Sequence, residues 1–111
     1  MNSKKFNRVV EKRINSIKDV LNAKGIEYES ETNRLHNFKR AAEICRCTPE
    51  EACTGMQAKH VVSILDLVDV ISNLKEDEEL GYTIDYINEK IGDAINYFIL
   101  LEALLIERLE G

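Results

Sequence analysis

The sequence has no tryptophan, a single proline (Pro49), five glycines and only three cysteines among its 111 residues. One proline and few glycines leave little to interrupt long helices, and no run of alternating apolar residues signals a strand. Three cysteines, Cys45, Cys47 and Cys53, are an odd number with no second close pair beside them. A four-ligand structural zinc site is therefore not expected, and reduced structural thiols are. The opening MNSKKFNRVV carries no apolar run of signal-peptide length, and YFILLEALLI is too short and too interrupted to span a bilayer. The expectation is a cytoplasmic protein with no membrane partner. No arrangement of serine, cysteine and histidine suggests a nucleophile, and no glycine-rich phosphate loop is present.

Hydrophobic residues at 44% and charged residues at 32% describe one ordinary globular domain spanning 1–111. The net charge of −5 argues against strong nucleic-acid binding, yet it conceals an asymmetry. Residues 1–47 hold 11 Lys/Arg against 6 Asp/Glu, whereas residues 48–111 hold 4 against 14. A basic half and an acidic half attract one another on folding, and a site for a metal with an anionic ligand can form where they meet.

Four helices are expected, at about 3–24, 33–46, 49–74 and 84–109. In the first, Phe6, Val9, Val10, Ile14, Ile17, Val20 and Leu21 follow the 3.6-residue period and Gly25 reads as its stop. A short second helix carries Leu35, Phe38, Ala41, Ala42 and Cys45 on one side. The third begins at TPEE, where Thr48 caps, Pro49 takes the first position and Glu50 and Glu51 meet the positive end of the helix. Thr83 caps the fourth. Short connections between helices give an all-α, four-helix bundle-like domain in which the third and fourth helices are antiparallel neighbours. From Phe98 to Ile106 only Glu102 interrupts the apolar residues of the last helix, so a homo-oligomer assembling through this C-terminal helix is expected.

The same helix has a polar head. Glu89, Asp93 and Asn96 stand at i, i+4 and i+7, with Tyr97 beside them, and form one stripe. It can be the wet edge of an amphipathic helix, or two carboxylates poised to hold Mg²⁺ against phosphates. Lys59, Ser63 and Asp66 form a second polar line on the third helix, with His60 adjacent. Facing stripes would pair Lys59 with Asp93, either as an interior ion pair or as a pocket that meets phosphate. Arg34, His36, Asn37, Lys39 and Arg40 cluster near the start of the second helix, where cations and an amide suit a phosphate or a base.

Three segments, KGIEYESETNRLHNFKRAAEI, TPEEACTGMQAKHVVSI and EKIGDAINYFILLEALL, together resemble the MazG-like all-α nucleoside triphosphate pyrophosphohydrolases, and more closely the small phage domains associated with nucleotide modification. That family binds Mg²⁺ through an E-x-x-D element joined to an E-E-x-x-E helix. Here KIGD keeps Asp93 but has Lys90 in place of the glutamate, with Glu89 one position away, and EEACT ends in Thr54. The resemblance implies a helical pocket for a nucleotide in the cytoplasm of a bacterial host, with the hydrolytic metal set degenerate. The leading expectation is a phage-type protein that sequesters a nucleotide, including a signalling nucleotide of host defence. Arg34, His36, Asn37, Lys39, Arg40, Lys59, Asn96 and Tyr97 would contact it, and Glu89, Asp93 and Asp66 would form the metal site. The alternatives are a Mg²⁺-dependent pyrophosphohydrolase using the same carboxylates, and a helical module that docks on a host protein.

Overall fold

The computed structural model describes residues 1–28, 35–79 and 81–111, the side chains of 23–28 excepted. Its elements are α1 (Ser3–Tyr28), α2 (His36–Cys45), α3 (Pro49–Ser72) and α4 (Ile84–Glu110), with no strand among the described residues. The all-α expectation holds. The N-terminal signals act as read: the Thr48 side chain accepts from the Glu51 amide while the Glu51 carboxylate accepts from the Thr48 amide, and Pro49 needs no partner for its nitrogen. The Thr83 hydroxyl accepts from Tyr86 N in the same manner. Two boundaries differ from expectation. Gly25 does not end the first helix, which runs on to Tyr28, because an interior glycine costs a helix only about 1 kcal/mol. The second helix starts at His36, three residues later than expected, and Arg34 lies outside the described residues.

The framework is an antiparallel hairpin of α3 on α4. Along α3 the residues Cys53, Gln57, His60, Ile64 and Leu67 recur at alternating steps of four and three, which keeps one seam turned to α4. The matching seam on α4 is Ala94, Tyr97, Leu101 and Leu104. Cys53 Sγ donates to Tyr97 O at 3.7 Å and Gln57 Nε2 to Ala94 O at 2.9 Å, which fixes the level of one helix against the other. α2 lies over the far end of this hairpin, where Leu35, Phe38, Cys53 and Leu104 form the core and Met56, Tyr97, Leu100 and Leu101 pack around it. Phe38 meets the Tyr97 ring edge-on at 6.1 Å, and Lys39 reaches Glu107 at 2.6 Å.

Among the described residues α1 packs on α4, with no comparable contact to α2 or α3. Residue 13 meets residue 88 and residue 20 shares a cavity with residue 96, so α1 and α4 run in the same direction. On α4 the residues facing α1 (Asn88, Gly92, Asn96) lie roughly opposite those facing α3 (Ala94, Leu101) at 100° per residue. α1, α4 and α3 therefore make one layer with α4 in the middle, and the molecule measures 53 × 30 × 25 Å. No helix among the described residues is long and apolar enough to cross a membrane.

Two expected outcomes follow from this packing. Leu104, 2% exposed, fills the small core, and Leu104→Ala lowers unfolding free energy by about 3 kcal/mol in a urea titration. Arg108 makes two hydrogen bonds to Glu50, at 2.7 and 2.9 Å, and holds that carboxyl down to about 2 from its ordinary 4.5. A depressed carboxyl contributes stability above its ordinary value, and the contribution is lost as pH falls from 4.5 towards 2. Thermal melts across this window show a smaller acid-induced loss in Arg108→Gln than in the parent, and at pH 7 the variant melts slightly lower.

Candidate functional site

The polar head of α4 faces α1, away from α3. Its stripe lines a cavity of about 250 Å³ between the two helices, with Asp85, Asn88, Glu89, Gly92, Asp93 and Asn96 on one wall and Arg13, Ser16 and Val20 on the other. The cause is the hairpin seam: once Ala94, Tyr97 and Leu104 turn to the core, residues 89, 93 and 96 are carried round to the α1 side or its margin. The α3 line is left elsewhere. Lys59 and Asp66 are exposed, and neither lines this cavity. The facing stripes expected of α3 and α4 do not form, and no ion pair joins Lys59 to Asp93 among the described residues.

Gly92 is what lets α1 come close. The Arg13 guanidinium lies against it and donates to Asn88 O at 2.9 Å; a Cβ on residue 92 would stand 2.5 Å from Arg13 Nη1. Arg13 thus stands at one end of the cavity. Beyond it a second hollow of about 260 Å³ continues along α1, lined by Lys5, Arg8 and Lys12 together with Val9, Ile84 and Asn88. Among the described residues no carboxylate pairs with Lys5, Arg8 or Lys12, and Glu89 and Asp93 have no cationic partner. The groove therefore has a basic stretch and an acidic stretch, with Arg13 between them.

Asn96 lies at the floor of the acidic stretch. It is 8% exposed, and its Oδ1 is fully enclosed with no hydrogen-bond partner. Leaving a buried amide oxygen unpaired costs about 1–3 kcal/mol, and a donor in the cavity reaches this one only if the side chain turns towards it. Gln57 Oε1 is the other enclosed oxygen without a partner, but its Nε2 is anchored on Ala94 O within the hairpin.

The remaining expected site residues lie elsewhere. Tyr97 sits half-buried among Phe38 and His60, its ring 4.6 Å from the imidazole, and burial, with smaller contributions from Cys53 and Asp93, raises its pKa above the ordinary value. Its neighbour Asp93 borders the groove, but the Tyr97 ring belongs to the core. His36 and Asn37 are exposed at the start of α2; Lys39 is paired with Glu107 and Arg40 with Glu43 at 2.7 Å. None of these lines the groove. Glu50 and Glu51, the acids of EEACT, are taken up by Arg108 and by the capping box. Among the described residues no three His, Cys, Asp or Glu side chains converge as a metal cage. Glu89 and Asp93 remain as two carboxylates one turn apart on the groove, enough for a Mg²⁺ ion whose other ligands are water and phosphate oxygens. Asp66 does not join them.

The residues missing from the sequence reading are Lys5, Arg8, Lys12, Arg13 and Ser16. Two signals pointed to them: cations at steps of three and four along one side of the first helix, and a glycine inside an apolar helix, which marks a close approach. Comparisons with protein-family models, with curated proteins and with solved structures found no match.

Gly92 and Arg13 supply a direct test of how the groove is held. Gly92→Ala gains helix propensity of about 1 kcal/mol but pushes the guanidinium from Asn88 O, so in urea unfolding the two effects nearly cancel. In an Arg13→Ala background the same substitution stabilises by about 1 kcal/mol, because only the propensity gain is left.

Proposed function

We propose that this chain binds a nucleotide in the groove between α1 and α4 and holds it without turning it over. The observation that carries this reading is a groove with Lys5, Arg8 and Lys12 along one stretch and Glu89, Asp93 and Asn96 along the other, with no ion pair across it among the described residues. A nucleotide has the matching order of groups. Its phosphates would meet Lys5, Arg8, Lys12 and Arg13, and its base would lie beside Asn96, whose amide would turn to meet its edge. Glu89 and Asp93 would accept from ribose hydroxyls or hold Mg²⁺, which would bridge them to phosphate oxygens. The resemblance to MazG-like proteins agrees with a nucleotide ligand in a helical pocket, and the phage-type domains within it agree with capture of a signalling nucleotide.

Binding without turnover is favoured because Lys90 stands where the family's glutamate would, and because EEACT is taken up in a cap and an ion pair. The second reading, a Mg²⁺-dependent pyrophosphohydrolase, rests on Glu89 and Asp93 both bordering the cavity.

One experiment separates them. Purified protein at about 50 μM is mixed with an equimolar panel of linear and cyclic nucleotides, with and without Mg²⁺, and both the free fraction and the denatured total are analysed by mass detection. Removal of a nucleotide from the free fraction with intact recovery is expected, as is at least a tenfold loss of affinity in Arg8→Glu/Lys12→Glu and in Asn96→Leu. Monophosphate and pyrophosphate products that vanish in Asp93→Asn would favour the enzyme. No depletion of any nucleotide would remove both readings.

A further inference from the structure

The layer α1–α4–α3 has two faces, and among the described residues only one is covered. α2 and the groove occupy the first. The second carries Phe6, Val10 and Ile14 of α1, Ile91, Ile95 and Phe98 of α4, and Val61, Leu65 and Val68 of α3. Helical periodicity puts these sets on the same side. On α4 they lie opposite Leu100 and Leu104, which sit beneath α2; on α3 they lie away from Met56, which packs on the core next to α2. Leu65 is 61% exposed, Phe98 56% and Phe6 56%. A contiguous apolar face of this size is not left to water by a stable globular protein.

The exposed area has the size of a subunit contact. A compact monomer of this mass would expose about 6,200 Å². This chain exposes 8606 Å², roughly 2,400 Å² more than that compact value. Its radius of gyration is 16.9 Å, against about 13 Å for a compact domain of its length. An obligate dimer takes about 1,000–2,500 Å² from each partner, so one further copy can account for the excess.

Charge and register identify the occupant. α1 holds seven Lys/Arg against three Asp/Glu, whereas α3 holds one against four, and in a single chain α4 keeps them apart. A two-fold axis lying in the open face and parallel to α4 puts α1 of each copy against α3 of the other, so the basic edge meets the acidic edge. An axis across the helices would instead stack α1 on α1, like charge on like. Rotation about an axis along the helices keeps every residue at its own level. Arg13 is level with Asn88, and Gln57 with Ala94. By the same count Ile14 comes within one residue of the level of Val61, Val10 within one of Leu65 and Phe6 within two of Val68. The apolar residues of α1 and those of α3 therefore come opposite one another to within two residues, less than one helical turn. At the middle, Ile91, Ile95 and Phe98 meet their own copies, and the contact ends at Glu102.

We infer that the chain forms a two-fold dimer through this face, a two-layer bundle of antiparallel α1–α3 pairs around a parallel α4–α4 pair, with the α1–α4 grooves turned outwards. This does not depend on what the groove binds.

The test combines mass and cross-linking. Light scattering of the full chain at about 20 μM gives a mass twice 12.7 kDa. Val10→Glu/Leu65→Glu, at positions already exposed in the single chain, keeps its helical circular dichroism and weakens the dimer at least 100-fold. In a Cys45→Ser/Cys47→Ser background, Val10→Cys/Leu65→Cys closes disulfides between chains, whereas Val10→Cys alone does not. A parent chain that stays at 12.7 kDa overturns the inference, as does a dimer untouched by the glutamates or one that Val10→Cys links by itself.

Discussion

A 27-residue helix whose second half is apolar on nearly every side has to be covered from more than one direction, and the whole arrangement follows from how α4 meets that demand. α3 takes one side along its full length. α2 covers a second side only over the C-terminal half, where Leu35 and Phe38 complete the core around Leu104. α1 takes the side opposite α3, over the N-terminal half. The result is a layer with a cap at one end, which explains both the long dimension of 53 Å and the small number of buried side chains.

The polar residues of α4 are confined to the one stretch where this covering is incomplete. Because α2 stops short of it, Glu89 and Asp93 keep contact with water, while Asn96, closer to the core, is enclosed. Gly92 then decides how near α1 can come. With no Cβ at that position a guanidinium fits against the helix, and Arg13 becomes the hinge between a basic hollow and an acidic one. The cavity stays open because, among the described residues, the cations of α1 and the carboxylates of α4 that line it are not within ion-pair distance. A groove with unsatisfied groups of both signs is suited to a ligand that is itself anionic at one end and hydrogen-bonding at the other.

Helix number, type and most boundaries were legible from the sequence because caps and apolar period act locally. Thr48 with Pro49 and Glu51, and Thr83 before Ile84, specify their helix starts whatever else the chain does. The antiparallel α3–α4 pairing followed from a short connection. The candidate site was legible only in part. Glu89, Asp93 and Asn96 were placed on one stripe by spacing alone, and the structure brings them to one cavity. Lys39 and Arg40 looked like phosphate contacts because they cluster in sequence, yet each is paired with a glutamate on the surface. Lys59 and Asp66 form a regular line that simply faces outwards.

The sequence by itself determined the helices, their polar stripes and the opposite charge of the two halves, since each depends on residues within a few positions of one another. Only the tertiary structure decided that the polar stripe of α4 turns to α1 and away from α3. That choice rests on which seam buries more apolar surface: Ala94, Tyr97, Leu101 and Leu104 bring one side of α4 against α3 and α2, and the polar stripe goes where that rotation puts it. The cations of α1 entered the site for the same reason, through a packing partner 75 residues away in the chain.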